Sequence, residues 1–231
     1  MTVHINGVIP KKPPLRVILT GVTGMVGEGV LHECLLSPDV EKVLVVSRRP
    51  FGVKDPKLSE IILPDFFNTP SISASLSGYN ACFFCLGISS VGVSKEQYEK
   101  MTYDLTIGFA KTLVAFNPGM SFCYISGAGT DSAEKGRLHW ARVKGKTEND
   151  LQKLGFRQTF LFRPGILKPT RGLKNTLSFY KWLGWLSPVI ETLMPNSISS
   201  LAQLGKAMIH VVLQGYKKNI LEVKDIKALV H

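Results

Sequence analysis

Short apolar runs rich in Val, Ile, Leu and Phe recur along this chain, and segments with apolar residues at helical spacing lie between them. The runs Leu15–Thr20, Lys42–Val46, Glu60–Leu63, Ala81–Leu86, Ser121–Ser126 and Gln158–Phe162 read as strands, with a late one at Leu221–Val223. Val26–Leu36, Lys95–Phe116, Arg137–Leu154 and Leu201–Leu213 read as helices. Strands without strict apolar–polar alternation are those buried on both faces. Their alternation with helices predicts a parallel, doubly wound α/β sheet. Right-handed crossovers then bring all strand C-termini to one edge, where a ligand is expected.

The first strand runs directly into Gly21-Val-Thr-Gly24-Met-Val-Gly27 and then into a helix. Strand, glycine turn and helix in that order form the first unit of a dinucleotide-binding, Rossmann-type fold. The first glycine allows the sharp turn, and the second lets the backbone approach a pyrophosphate. Gly27 lets the helix sit close on the sheet. The helix N-terminus offers unpaired N–H groups to phosphates. Gly21, Thr23, Gly24, Met25, Val26 and Gly27 are therefore expected cofactor contacts. A turn needed only for packing would carry the same glycines. The flanking strand and helix favour the dinucleotide reading.

The second strand ends Val46-Ser47-Arg48-Arg49. An NAD-specific site usually has a carboxylate near this position to bind the ribose 2′-hydroxyl. A 2′-phosphate is instead held by guanidinium groups. Arg48 and Arg49 thus point to NADP(H).

The character of the chain changes after Gly165. Aromatic and basic residues mix over Thr170–Leu186, and Pro188 and Pro195 follow. These features divide the chain into a loose arm over residues 1–14, an NADP-binding domain over 15–165 and a small C-terminal cap over 166–231. The aromatic–basic stretch fits cap packing, or peripheral contact with a membrane surface.

Composition adds limits. The 231 residues carry a formal net charge of +11, scattered and without a nucleic-acid recognition signature. No apolar run reaches the length of a membrane span. The first 14 residues lack the apolar core of a signal peptide, and four cysteines are few, so a reducing, cytoplasmic setting is expected. Cys82 and Cys85 lie three apart on a strand and should face opposite ways, as core residues.

Taken together, these motifs resemble an atypical short-chain dehydrogenase/reductase, nearest to the Tat-interacting oxidoreductase-like subgroup and its bacterial relatives. The resemblance spans Leu15 to Leu213 and weakens after Gly165. Besides the glycine turn and Ser47-Arg48-Arg49, it rests on three short matches. Asp65-Phe66 resembles the pair beside the adenine. Cys85-Leu86-Gly87 resembles the fourth-strand end beside the ribose. Arg163-Pro164-Gly165 resembles the turn near the nicotinamide.

The resemblance implies Tyr-x-x-x-Lys on the fifth helix, with the tyrosine as proton donor or acceptor. This chain has Trp140-Ala-Arg-Val-Lys144 there. An indole N–H donates a hydrogen bond but exchanges no proton near neutral pH. Lys144 is retained and is expected to hold the nicotinamide ribose. Ser126 is the candidate serine partner, and His139 the candidate substitute acid, since imidazole titrates in the useful range. Nothing local marks Tyr103 or Tyr124. Asp104, Asp131 and Glu148 show no paired-carboxylate or metal-ligand spacing. Three functions follow. One is an NADPH-dependent oxidoreductase or epimerase acting on a small carbonyl or hydroxyl substrate. Another is an NADP(H)-sensing regulator that binds a protein partner. The third is a peripheral membrane or lipid-associated protein using the aromatic–basic stretch.

Overall fold

The computed structural model describes residues 13–175 and 196–230. Among the described residues, seven strands form one fully parallel sheet in the order β3-β2-β1-β4-β5-β6-β9. They are β1 (Leu15–Thr20), β2 (Val40–Ser47), β3 (Leu58–Ile62), β4 (Ala81–Phe84), β5 (Ser121–Ile125), β6 (Gln158–Arg163) and β9 (Ile220–Glu222). The order reverses between β1 and β4, which makes their C-terminal ends the topological switch point. The expected fold class is thus present.

Side chains alternate across the sheet and build two core layers. Val17, Leu19, Phe83, Cys123 and Phe162 point to one layer, covered by α1 (Met25–Leu36). Ile18, Val46, Cys82, Phe84 and Phe122 point to the other, covered by α3 (Leu105–Phe116) and α4 (His139–Leu151). Cys82 and Cys85 pack into opposite layers, as strand alternation requires.

Several expected boundaries shift for identifiable reasons. The helix expected over 95–116 is α2 (Lys95–Glu99) and α3, joined by a π-turn at Lys100–Asp104. Such a turn widens the helix by one residue locally, which apolar spacing does not register. A 3₁₀ segment at Phe66–Leu76 lacks helical apolar spacing and contains Pro70, so the sequence pattern misses it. The paired strands β7 (Ile166–Lys168) and β8 (Ile198–Ser200) have three residues each, too few for a pattern.

The domain boundary expected at 165/166 does not hold for the end of the chain. α5 (Leu201–Gln214) packs directly on α1, and both lie in the same core layer as β1. Two glycines permit this approach. A methyl on Gly29 would stand 2.9 Å from Leu201 Cβ, and one on Gly205 would stand 2.7 Å from Glu33 Cγ. β9 extends the main sheet beside β6, and α6 (Val223–Ala228) follows it. The C-terminal elements are therefore part of the Rossmann layers. Most of the expected arm (residues 1–12) and of the aromatic–basic stretch (residues 176–186) lies outside the described residues.

Candidate dinucleotide site

The glycine turn stands at the C-terminal end of β1. Gly21 has φ +75°, and a Cβ there would meet the Cys85 carbonyl oxygen at 2.5 Å. A Cβ on Gly27 would meet the Gly21 carbonyl oxygen at 2.2 Å. These two glycines are required by the protein's own packing. Gly24 differs. Its backbone is extended (φ −107°, ψ 161°), and a Cβ would find only the Gly21 carbonyl oxygen, at 3.4 Å. Gly24 is the N-cap of α1, and no side chain caps that helix. The N–H groups of its first turn, at Met25, Val26 and Gly27, have no partner within the helix. Thr23 is exposed in the turn. The strand ends are tied together here by the Leu86 N–H, which donates to Thr20 Oγ1 at 3.3 Å.

A cavity of about 140 Å³ opens next to this turn, lined by Arg48, Asp65, Phe66, Leu86 and Gly87 together with Phe67, Ile88 and Met101. Five of the expected cofactor contacts, from three separate strand ends, thus share one wall. Asp65 shapes it by capping the 3₁₀ segment, its carboxylate accepting from the Phe67 N–H at 2.9 Å. Arg49 is exposed and does not line the cavity. The loop carrying both arginines is held by a residue the motif reading overlooked. Glu60 accepts from Ser47 Oγ at 3.0 Å and from the Phe51 N–H at 3.0 Å, while Ser47 Oγ lies 2.7 Å from the Arg49 carbonyl oxygen.

The remaining candidates lie on the loop after β5 and at the start of α4, which do not line this cavity. Lys144 is half-buried, and its ammonium donates to the Ser126 carbonyl oxygen. Burial pushes its pKa down to about 8, against the raising influence of Glu148. Trp140 lies one turn earlier and covers Gly129. The Ser126 hydroxyl is buried and engages the Glu148 carboxylate and the Phe162 carbonyl oxygen, the latter at 3.1 Å. Ser126 therefore secures the loop through its side chain and meets Lys144 only through its backbone. His139 opens α4 with its ring edge-on to Tyr98, centroids 6.3 Å apart. Tyr124 is buried in the core, and burial pushes its phenol well above the usual range. The Tyr103 hydroxyl donates to Asp150 at 2.9 Å.

Glu148 shows no paired-carboxylate or metal-ligand spacing in the sequence. In the structure it is fully buried and forms an ion pair with Arg163, whose Nε donates to Oε1 at 3.0 Å. Arg163 also reaches Ser132 and Glu222. No local spacing in the sequence signals this pair, because Arg163 stands 15 residues from Glu148 on the following strand. Pro164 and Gly165 follow β6. The Pro164 carbonyl accepts from the Ala128 N–H at 2.9 Å, and a Cβ on Gly165 would meet the Ser197 carbonyl oxygen at 2.2 Å. Both therefore pin the loops around the site.

The fold is that of short-chain dehydrogenases/reductases and nucleotide-sugar epimerases. The chain superimposes on a short chain dehydrogenase from Burkholderia cenocepacia in complex with NADP, with a TM-score of 0.63 at 12% identity, covering 93% of this chain and 92% of that one. A UDP-N-acetylglucosamine 4-epimerase from Methanobrevibacter ruminantium gives 0.63 at 13% identity, covering 90% and 75%. No family model matches the chain. Protein FMP52, mitochondrial, of Debaryomyces hansenii is 30% identical over 175 residues, 73% of this chain and 75% of that protein. Protein fmp52, mitochondrial, of Emericella nidulans is 29% identical over 211 residues, 86% and 88%. The chain belongs to the Fmp52 family. The cytoplasmic location expected from the sequence is overturned by these relatives, which are named as mitochondrial proteins.

Proposed function

We propose that this chain binds NADP(H) across the β1–β4 switch point and is an oxidoreductase-type protein without the tyrosine proton route. The observation that carries the reading is Gly24, which nothing in the protein's own packing requires to be glycine. A bound pyrophosphate would require it, because a side chain there would occupy the space of backbone approach. The neighbouring cavity supports the same reading, with Arg48 at its rim and Asp65, Phe66, Leu86 and Gly87 on its wall. Arg48 and Arg49 favour a 2′-phosphate, and hence NADP(H) over NAD(H).

The nicotinamide supplies hydride chemistry when bound. Lys144 would hold its ribose, and its lowered pKa also equips it to hold or release a proton near neutral pH. His139 stands one position off the Trp140–Lys144 face, against Tyr98, and is the weaker proton donor. Ser126 positions Lys144 through its carbonyl group. The substrate is a small carbonyl or hydroxyl compound.

Within the atypical short-chain class we place the chain near the Tat-interacting-like subgroup on its motif order alone. The relatives' names support a mitochondrial location. A second reading, an NADP(H)-sensing regulator, is favoured by Trp140 in place of the tyrosine. Titration with NADPH and NADH, followed by turnover with a carbonyl panel, tests both. Saturable binding that favours NADPH supports the site, and absence of binding to either nucleotide contradicts it. Binding without turnover selects the regulator.

A further inference from the structure

Glu28 lies in the first turn of α1, one turn beyond Gly24, and is only 6% exposed. Both of its carboxylate oxygens accept from a segment 146–147 residues away in sequence. The backbone N–H of Lys174 donates to one at 2.8 Å, and that of Asn175 to the other at 2.7 Å. The side-chain amide of Asn175 reaches the carbonyl oxygen of Val22, inside the glycine turn, at 3.5 Å. The chain at 174–175 therefore lies against the turn itself. A carboxylate in the first turn is also favoured by the helix dipole. Its two N–H bonds are charge-assisted and stronger than neutral ones. Few other contacts are needed to fix where this segment runs.

We propose that Glu28 is a positioning residue that latches Lys174–Asn175 onto the glycine turn, so that this segment forms the outer wall of the dinucleotide-phosphate site. The exposed Lys174 then borders the phosphates with a positive charge, and the Asn175 amide sits over the turn that holds them. The inference rests on the NADP(H) reading. It predicts that nucleotide binding and the order of this segment are coupled through Glu28.

Glu28→Ala, Glu28→Gln and the control Glu33→Gln test it. Glu33 is buried on the same helix but away from the turn. The readouts are NADPH affinity and the rate of tryptic cleavage after Lys174, with and without NADPH. In the wild type, NADPH should slow that cleavage. Glu28→Ala should weaken NADPH binding roughly fivefold or more, within the usual range of coupling energies, and should abolish the protection. Glu28→Gln keeps one acceptor oxygen and should fall between. Glu33→Gln should lower thermal stability without changing either readout. Wild-type NADPH binding that is unchanged in Glu28→Ala, with protection intact, overturns the latch alone. Failure of the wild type to bind NADPH overturns the reading of the site and the latch with it. If Glu28→Ala does not fold, wild-type affinity in Glu28→Gln or absence of NADPH protection at Lys174 overturns the proposal.

Discussion

The indole of Trp140 lies over Gly129: a methyl group on Gly129 would stand 3.4 Å from Cη2 of the ring. The side chain at the helix position expected to carry a proton-exchanging phenol is thus packed against the loop after β5. Trp140→Tyr places a hydroxyl one turn before Lys144. General acid–base assistance contributes roughly 10²–10⁴ in rate. The variant should therefore reduce carbonyl compounds faster than the natural protein, by about tenfold or more. NADPH consumption with a carbonyl panel checks this, and an unchanged rate would place the proton route elsewhere.

Lys144 gives a pH signature. Its folded-state pKa, about 8, lies below the ordinary 10.5. The folded protein thus holds this proton less tightly than the unfolded chain. The group disfavours folding at neutral pH, and that effect disappears as pH rises from about 8 towards 10.5. Cofactor binding should respond in the opposite direction. An ammonium that holds the ribose is lost above about pH 8, so NADPH affinity should fall there. Lys144→Arg stays charged and should flatten the profile, whereas Lys144→Ala should weaken binding at every pH. Titrations between neutral and alkaline pH decide the point.

The Glu148–Arg163 pair predicts a stability effect. Glu148 is fully buried and Arg163 is 8% exposed, so removing the carboxylate leaves a buried guanidinium with, among the described residues, only Ser132 and the more distant Glu222. Glu148→Ala should destabilise by about 3–5 kcal/mol. The double substitution Glu148→Leu with Arg163→Met should recover much of that loss. Denaturant unfolding of the three variants measures it.

Charge-assisted hydrogen bonds contribute about 1.5–3 kcal/mol each. Replacing both Arg48 and Arg49 by alanine should therefore lower NADPH affinity by at least roughly tenfold and leave NADH affinity nearly unchanged. Equal losses for both nucleotides would show that the loop acts on the shared part of the cofactor.

Much of this architecture was legible in the chain because buried parallel strands are apolar throughout and the glycine turn stands between strand and helix. β1 was placed at Leu15–Thr20, where it lies. The grouping of Arg48, Asp65, Phe66, Leu86 and Gly87 was legible because strand ends in such a sheet must converge. The contacts that hold the site were not. Glu60 under the arginine loop, Glu28 under Lys174 and Glu148 beneath Ser126 are single carboxylates whose partners lie far away in sequence. No local spacing announces such a pairing. The placement of α5 on α1 was hidden for a similar reason, because it depends on Gly29 and Gly205 meeting opposite side chains.

The central claim is that the glycine turn holds a dinucleotide, and Gly24→Val tests it most directly. The extended backbone at Gly24 suits valine. Valine is a poor helix cap, so a stability loss of about 1 kcal/mol is expected. NADPH titration of the folded variant, beside the wild type, is the measurement. The account predicts a wild type that binds NADPH and a Gly24→Val protein that keeps its fold but binds at least roughly tenfold more weakly. A folded Gly24→Val protein with wild-type NADPH affinity would contradict it.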